Sequence, residues 1–182
     1  YVDLFTDSNF LASVGRSIAL SIIPIIVTIV IVLLALFVTA IYFPKLEKYV
    51  QIICMIPYTI QGVILSVSIL SLYVGSSSIL SNRLVMLMGA YCIVILPYIY
   101  QGIRNGMRAV NMPTLIEAAE MLGASKIYAF FRVVVPNILS AIIVSSLLAV
   151  GIIFGDYVLI RNLAGTSAPN MQIFLYQTMK SD

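Results

Sequence analysis

The chain offers few side chains for chemistry at a reactive centre. Histidine is absent, so neither imidazole acid–base catalysis nor a histidine metal ligand is available. The two cysteines, Cys54 and Cys92, lie inside apolar runs without Cys-x-x-Cys spacing, which predicts buried, inert thiols. Asp156 is the one ionisable residue inside a long apolar segment, and a lone carboxylate forms no catalytic constellation. The sequence therefore predicts a protein that is not an enzyme.

Asp156 is the residue best suited to meet a charged ligand. A carboxylate at the centre of a bilayer costs about 2.5–3.5 kcal/mol on insertion scales, so an intramembrane aspartate suggests a function. Asp156 also lies close before Arg161, near the predicted end of its apolar segment. Two interpretations stay open: a solvated or paired interfacial aspartate, or a cavity-lining group that meets a cationic substrate. Polar residues near prolines are expected to line a pathway or to hydrogen-bond between helices: Tyr58, Gln61, Tyr98 and Gln101.

The composition indicates that these residues lie in a lipid membrane. Apolar residues make up 62% of the chain and charged residues 9%, whereas a soluble domain has about 45–50% and about 25%. Only helices and closed barrels satisfy their backbone in hydrocarbon, and the apolar runs are too long and continuous for barrel strands. The net charge of +3 gives no reason to expect a nucleic-acid partner. The sequence predicts an all-α, polytopic transmembrane helix bundle.

Uncharged runs define the predicted spans, since about 20 apolar residues cross a bilayer core. Pro24 is expected near the start of the first span, and Pro57 and Pro97 are expected to kink the second and third. Six of the ten lysines and arginines fall on the side of the loop 104–132, which predicts that this side is cytoplasmic. The spans are predicted at 17–43, 50–73, 84–103 and 133–160, with an outer segment at 161–182.

The loop 104–132 is predicted to contain a short amphipathic helix. Pro113 suits the first turn, and Gly123 suits the C′ position that follows a helix. Glu117 and Glu120 are expected toward the start of this helix. Its apolar face is predicted, from i, i+3, i+4, i+7 spacing, to comprise Leu115, Ala118, Ala119 and Leu122.

The segment 117–136 resembles the EAA loop of the permease subunits of ABC importers. That pattern is Glu-Ala-Ala, three residues, Gly, nine residues, then Ile-x-Leu-Pro. Here Val133 and Val135 replace the isoleucine and leucine and keep the apolar volume. The resemblance implies that this helix docks on an ATP-binding subunit. The coupling residues it implies are Glu117, Ala118, Ala119, Gly123 and Pro136.

Nearly the whole chain resembles the core of such permeases, of the type I, maltose-like kind. Pro57 with Gly62 resembles the second core span, and Leu96-Pro97-Tyr98 resembles the end of the third. Phe154-Gly155-Asp156-Tyr157 resembles the outer end of the fourth span in polyamine, phosphonate and iron permeases. The resemblance implies a first and a last helix outside residues 1–182.

The resemblance also implies partners and a location. These are ABC ATP-binding subunits, a second permease in a homo- or heterodimer, an extracytoplasmic binding protein, and the bacterial plasma (inner) membrane. No Gly-x-x-x-x-Gly-Lys loop occurs, so ATP and Mg are expected on the partner, with no cofactor in this chain. Arg104, Arg108 and Arg132 are expected to anchor spans at the inner interface or to contact the ATP-binding subunit.

The implied substrate is a polyamine (spermidine or putrescine), or a small solute such as phosphonate or ferric iron. The alternative is a secondary transporter driven by an ion gradient. That class typically shows paired discontinuous helices and intramembrane charges, which the sequence does not show.

Overall fold

A computed structural model describes residues 8–60, 62–73, 82–163 and 176. These residues form helices and connections and contain no strand, as the all-α prediction requires. Short 3-10 turns occupy Pro44–Leu46 and Ile56–Thr59, and a π-helical turn occupies Phe130–Val134. The α-helices are α1 (Ser8–Ile41), α2 (Glu47–Met55), α3 (Gly62–Tyr73), α4 (Arg83–Ala109), α5 (Met112–Met121), α6 (Lys126–Ala129), α7 (Val135–Asn137), α8 (Leu139–Gly155) and α9 (Val158–Leu163).

Helix α4 forms the centre of the bundle. Its first turn is capped by Asn82, whose side-chain oxygen accepts a hydrogen bond from the backbone N–H of Leu84 at 3.0 Å. Leu87, Ile95 and Ile103 on α4 are fully buried. Helices α1 and α8 pack on α4 and on each other, while α9 packs mainly on α3. The core therefore consists of a three-helix layer with a shorter helix pair at its side.

Two helices, Ser13–Ile41 and Arg83–Ala109, are each long and apolar enough to cross a membrane. Two further spans are possible if each of two bent helix pairs counts as one. The pair Pro44–Thr59 and Gly62–Leu72 bends by 98°, and the pair Lys126–Asn137 and Leu139–Gly155 bends by 64°. The sequence predicted a kink at Pro57 within the second span, and Pro57 lies at the first of these breaks, but it predicted the fourth span as a continuous run.

Two helices extend beyond the predicted spans, and one of the two predicted kinks does not form. Helix α1 already runs from Ser8, so Pro24 lies in its interior rather than near its start. Helix α4 continues to Ala109, beyond the predicted span end at 103, and its last turns carry Arg104 and Arg108, which pair with Glu47. Pro57 lies in the 3-10 turn at the 98° break, as a kink requires, whereas Pro97 is buried within the single helix α4.

The antiparallel helices α4 and α8 cross at very short range. A Cβ added at Gly102 would lie 2.5 Å from the Cβ of Ser145, and one at Gly106 would lie 2.5 Å from the Cβ of Ala141. Gly-x-x-x-Gly on one helix thus faces Ala-x-x-x-Ser on the other, the small-residue pattern of close membrane helix pairs. This crossing fixes the two helices that lead to the long loop.

Candidate functional site

The helix predicted in the long loop is α5, which follows α4 after a sharp turn. Asn111 makes the turn in the left-handed region, with φ 50° and ψ 61°. Asparagine tolerates this conformation better than most residues that carry a side chain. Pro113 lies in the first turn of α5, as predicted, where its missing N–H removes no helical hydrogen bond.

The other end of α5 is closed by Gly123. Its φ of +85° is left-handed, and its N–H donates to the carbonyl of Glu120 at 2.9 Å. The N–H of Ala124 donates to the carbonyl of Ala119 at 3.0 Å. These two bonds form a Schellman motif and confirm that Gly123 is the C′ residue. No atom lies within 4 Å of a Cβ placed on Gly123, so its backbone conformation is what requires glycine.

The buried face of α5 differs from the predicted one. Met112, Ile116 and Ala119 are buried, whereas Ala118 and Leu122 are exposed. The predicted row of apolar residues is shifted by about one position from the row that is buried. Both rows are apolar, so the sequence alone does not distinguish them, and tertiary packing selects the buried one. Of the residues that the motif predicted for coupling, Ala119 is the one buried in the packing of α5.

The two glutamates also lie elsewhere than expected. Glu117 is in the second turn of α5 and Glu120 in the last, so neither benefits from the positive end of the helix dipole. Glu120 forms an ion pair with Lys126 at 3.9 Å across the turn. Glu117 is exposed, and among the described residues it forms no ion pair. Its carboxylate is therefore available to a group outside the chain.

An apolar surface lies at the tip of this segment. Met121 and Leu122 are each 90% exposed, and Ile127 and Tyr128 are more than half exposed. We call these four residues the tip patch. Ser125 caps α6 directly behind it, since its hydroxyl oxygen accepts a hydrogen bond from the N–H of Tyr128 at 3.3 Å. The patch is held between two capped helix ends.

The π-helical turn Phe130–Val134 connects the tip to the bundle. Phe130 is fully buried, and its ring centroid lies 4.9 Å from that of Phe37 on α1. Pro136 lacks an N–H, so the carbonyl four residues earlier loses its usual α-helical partner, and a π-turn is one way to rearrange that bonding. Pro136 thus explains the break before α8, and the aromatic pair links the break to α1.

Three of the predicted pathway residues line one cavity of about 280 Å³. Tyr58 and Tyr98 pack with ring centroids 5.7 Å apart, and Asp156 faces the same space. Gln101 does not belong to this cavity: its amide donates to the sulfur of Met55 at 3.1 Å, and it lines a separate groove between α4 and α8. Gln61 lies outside the described residues.

Asp156 fits both interpretations that the sequence left open, since it is paired and it also lines a cavity. It lines the cavity, and it also accepts hydrogen bonds from the hydroxyl of Tyr91 at 3.3 Å and the N–H of Leu159 at 3.4 Å. Tyr91 was not singled out from the sequence, since it lies on a distant helix with no proline beside it. One carboxylate and three tyrosines therefore surround a single small cavity.

Two of the three arginines predicted at the inner interface, Arg104 and Arg108, form a cluster on α4. The Nε and Nη2 atoms of Arg104 donate to one carboxylate oxygen of Glu47 at 2.9 and 2.7 Å. Arg108 reaches the same oxygen at 3.6 Å, whereas Arg132 is exposed. Because Glu47 begins α2, these pairs place the 44–48 turn and the end of α4 at the same end of the bundle.

Residues 17–180 match the family described as the binding-protein-dependent transport system inner membrane component. The chain belongs to this family. The permease is therefore the membrane-embedded subunit of an ABC importer, as the resemblance of 117–136 implied. Members of this family are transport permeases rather than enzymes. A comparison with curated protein sequences gives no match.

Proposed function

We propose that α5 and the tip patch form the surface by which the permease binds an ABC ATP-binding subunit. The observation that carries the proposal is the exposure of Met121 and Leu122, at 90% each, on a segment whose helices are capped on both sides. Fully exposed apolar side chains on a fixed turn are typical of an interaction site. Glu117 and Ala118 lie exposed on the same helix, where a basic group of the partner has access to them.

The packing supports a transmission path from this surface to the bundle. ATP and Mg bind to the partner subunit, whose closure pushes α5. Ala119 and Phe130 are buried against the bundle, so a displacement of α5 acts on α1 and α8 together. In this proposal a second permease completes the pathway, and an extracytoplasmic binding protein delivers the solute. The assembly belongs to the bacterial plasma membrane.

Two substitutions of Gly123 test the coupling role. Gly123→Val forces a β-branched residue into the left-handed region, at a cost of about 1–2 kcal/mol. The strain opens the Schellman motif and tilts the tip patch. We expect a complex that still contains its ATPase and hydrolyses ATP, but transports solute at about a tenth of the normal rate or less. Hydrolysis and uptake are measured together in proteoliposomes.

Gly123→Asn is the matched control. It also adds a side chain into the open space around Gly123, but asparagine adopts the left-handed conformation more readily. We expect transport close to that of the wild type. Equal failure of both variants would mean that the bare surface of Gly123 contacts the partner, while normal transport in both would contradict a coupling role for this turn.

The substrate class that the cavity favours is a cationic amine, such as spermidine or putrescine. Asp156 supplies a carboxylate, and the faces of Tyr58 and Tyr98 supply sites for an ammonium group. A phosphonate is disfavoured because its negative charge would meet that carboxylate. The family membership and the exposed coupling surface disfavour the secondary-transporter alternative.

Asp156→Asn tests this substrate class. Asparagine keeps the size of the side chain and still caps a helix, so α9 stays in place, but the negative charge is removed. We expect uptake of radiolabelled spermidine to fall about tenfold or more, since bonds to charged groups contribute about 1.5–3 kcal/mol. Tyr91→Phe removes one hydrogen bond to Asp156 and keeps the charge, so a loss of only a few fold is expected. Unchanged spermidine uptake by Asp156→Asn would contradict the assignment.

A further inference from the structure

A second cavity, of about 500 Å³, lies at the end of the bundle that the distribution of lysines and arginines predicts to be cytoplasmic. It is enclosed by the end of α1, the turn before α2, the end of α4 and the start of α5. Neither the transport pathway nor the tip patch includes it. The polar side chains that line it are Thr39, Glu47, Arg104, Arg108 and Asn111.

The charges at this cavity favour an anion. Glu47 is already held by Arg104, whose side chain is only 15% exposed, so this pair forms a neutral wall. The guanidinium of Arg108 makes a single longer contact of 3.6 Å and is 63% exposed, which leaves most of its donors free. Lys45 and Lys48, both exposed, flank Glu47 in the chain. The local charge is therefore positive.

The aromatic residues around the cavity indicate its position relative to the membrane surface. Tyr42, Phe43 and Tyr49 are 53%, 55% and 63% exposed. Tyr42 and Phe43 lie on the turn between α1 and α2 that borders the cavity, and Tyr49 lies in the first turn of α2. Tyrosine side chains on a membrane protein concentrate at the level of the lipid headgroups. The cavity thus opens where phosphate groups of the inner leaflet are found.

We propose that this cavity binds the phosphate group of an anionic phospholipid. Arg108 contacts the phosphate, Asn111 offers its side-chain amide, and the Arg104–Glu47 pair shapes the wall without binding the ligand. Basic pockets between helices on the cytoplasmic side bind anionic headgroups in this manner. A bound lipid would contact both the α1–α2 turn and the first turn of α5. In the proposed function, α5 is the helix that the ATP-binding subunit displaces.

Native mass spectrometry of the full-length permease in detergent tests the proposal. Phosphatidylglycerol and phosphatidylcholine with identical acyl chains are titrated separately, and inorganic phosphate is then added as a competitor. We expect one site that retains phosphatidylglycerol about tenfold more strongly than phosphatidylcholine. Arg108→Gln is expected to weaken that site about fivefold, and Arg108→Lys to preserve most of it.

Arg132→Gln is the matched control, because Arg132 is an exposed arginine of the following π-turn and does not line the cavity. It is expected to leave the site unchanged. Equal losses in both glutamine variants would indicate diffuse surface attraction and overturn the proposal, as would equal retention of the two lipids. Displacement by low millimolar phosphate would assign the cavity to a small anion rather than a lipid. If Arg108→Gln retained both lipids as the wild type does but no longer co-purified with the ATP-binding subunit, Arg108 would belong to the contact with that subunit and the proposal would be overturned.

Discussion

Replacing Gly106 with valine is expected to destabilise the bundle strongly at its tightest crossing. The new Cβ would lie 2.5 Å from the Cβ of Ala141, a distance that real contacts essentially never show, and the nearest atom belongs to a rigid methyl group. Helices α4 and α8 must therefore separate, and overpacking of this kind typically costs 1–3 kcal/mol. We expect the free energy of unfolding to fall by about 3 kcal/mol, measured by denaturation of the purified permease in detergent.

Gly89→Val is the control for this prediction. Gly89 lies on the same helix, but nothing lies within 4 Å of its Cβ position, so only the small helix-propensity effect of valine remains. A compensating pair gives a sharper test: Gly106→Ala combined with Ala141→Gly restores the space that the first change fills. The double variant should regain most of the stability that Gly106→Ala loses. Additive effects of the two single changes would show that the helices do not cross at this point.

The general architecture could be predicted from the sequence because lipid imposes a simple requirement on it. Long uncharged runs must become helices, so the all-α bundle and the approximate spans follow from composition. Kinks were expected at both Pro57 and Pro97, but only Pro57 lies at a break, and the 64° break near Pro136 was not predicted. Pro24 and Pro97 lie inside helices. What a proline does depends on whether other elements satisfy and support the freed backbone.

The short helix in the loop 104–132 was predicted, and the details of its packing were not. Gly123 could be recognised as a C′ residue because its role is local. The buried face of α5 was missed because Ile116 and Leu115 are equally apolar, and only the packing against the bundle selects one. The Glu47–Arg104 pair and the Tyr91–Asp156 contact join residues far apart in the chain. The Gly102-x-x-x-Gly106 spacing was the visible signal for the α4–α8 crossing, and it was not used.

Leu122→Asp is expected to abolish stable binding of the ATP-binding subunit. Leu122 is 90% exposed, so a charge there leaves the folded permease intact. In the complex, the same carboxylate would have to enter an apolar contact without a partner. Loss of a central apolar contact and burial of an unpaired charge together cost at least about 3 kcal/mol, which corresponds to about a hundredfold weaker binding. Co-purification of the ATPase with tagged permease measures the effect.

Two variants separate this effect from a general effect of charge. Leu46→Asp makes the same change at an exposed leucine of the Pro44–Leu46 turn, outside α5 and the tip patch. Leu122→Met keeps the apolar volume at the tip. Both are expected to retain the ATPase, because neither removes apolar contact from the tip patch. If Leu122→Asp retained the ATPase as well as these two variants do, the docking surface would have to be sought away from Met121 and Leu122, on the exposed side of α5 that carries Glu117 and Ala118.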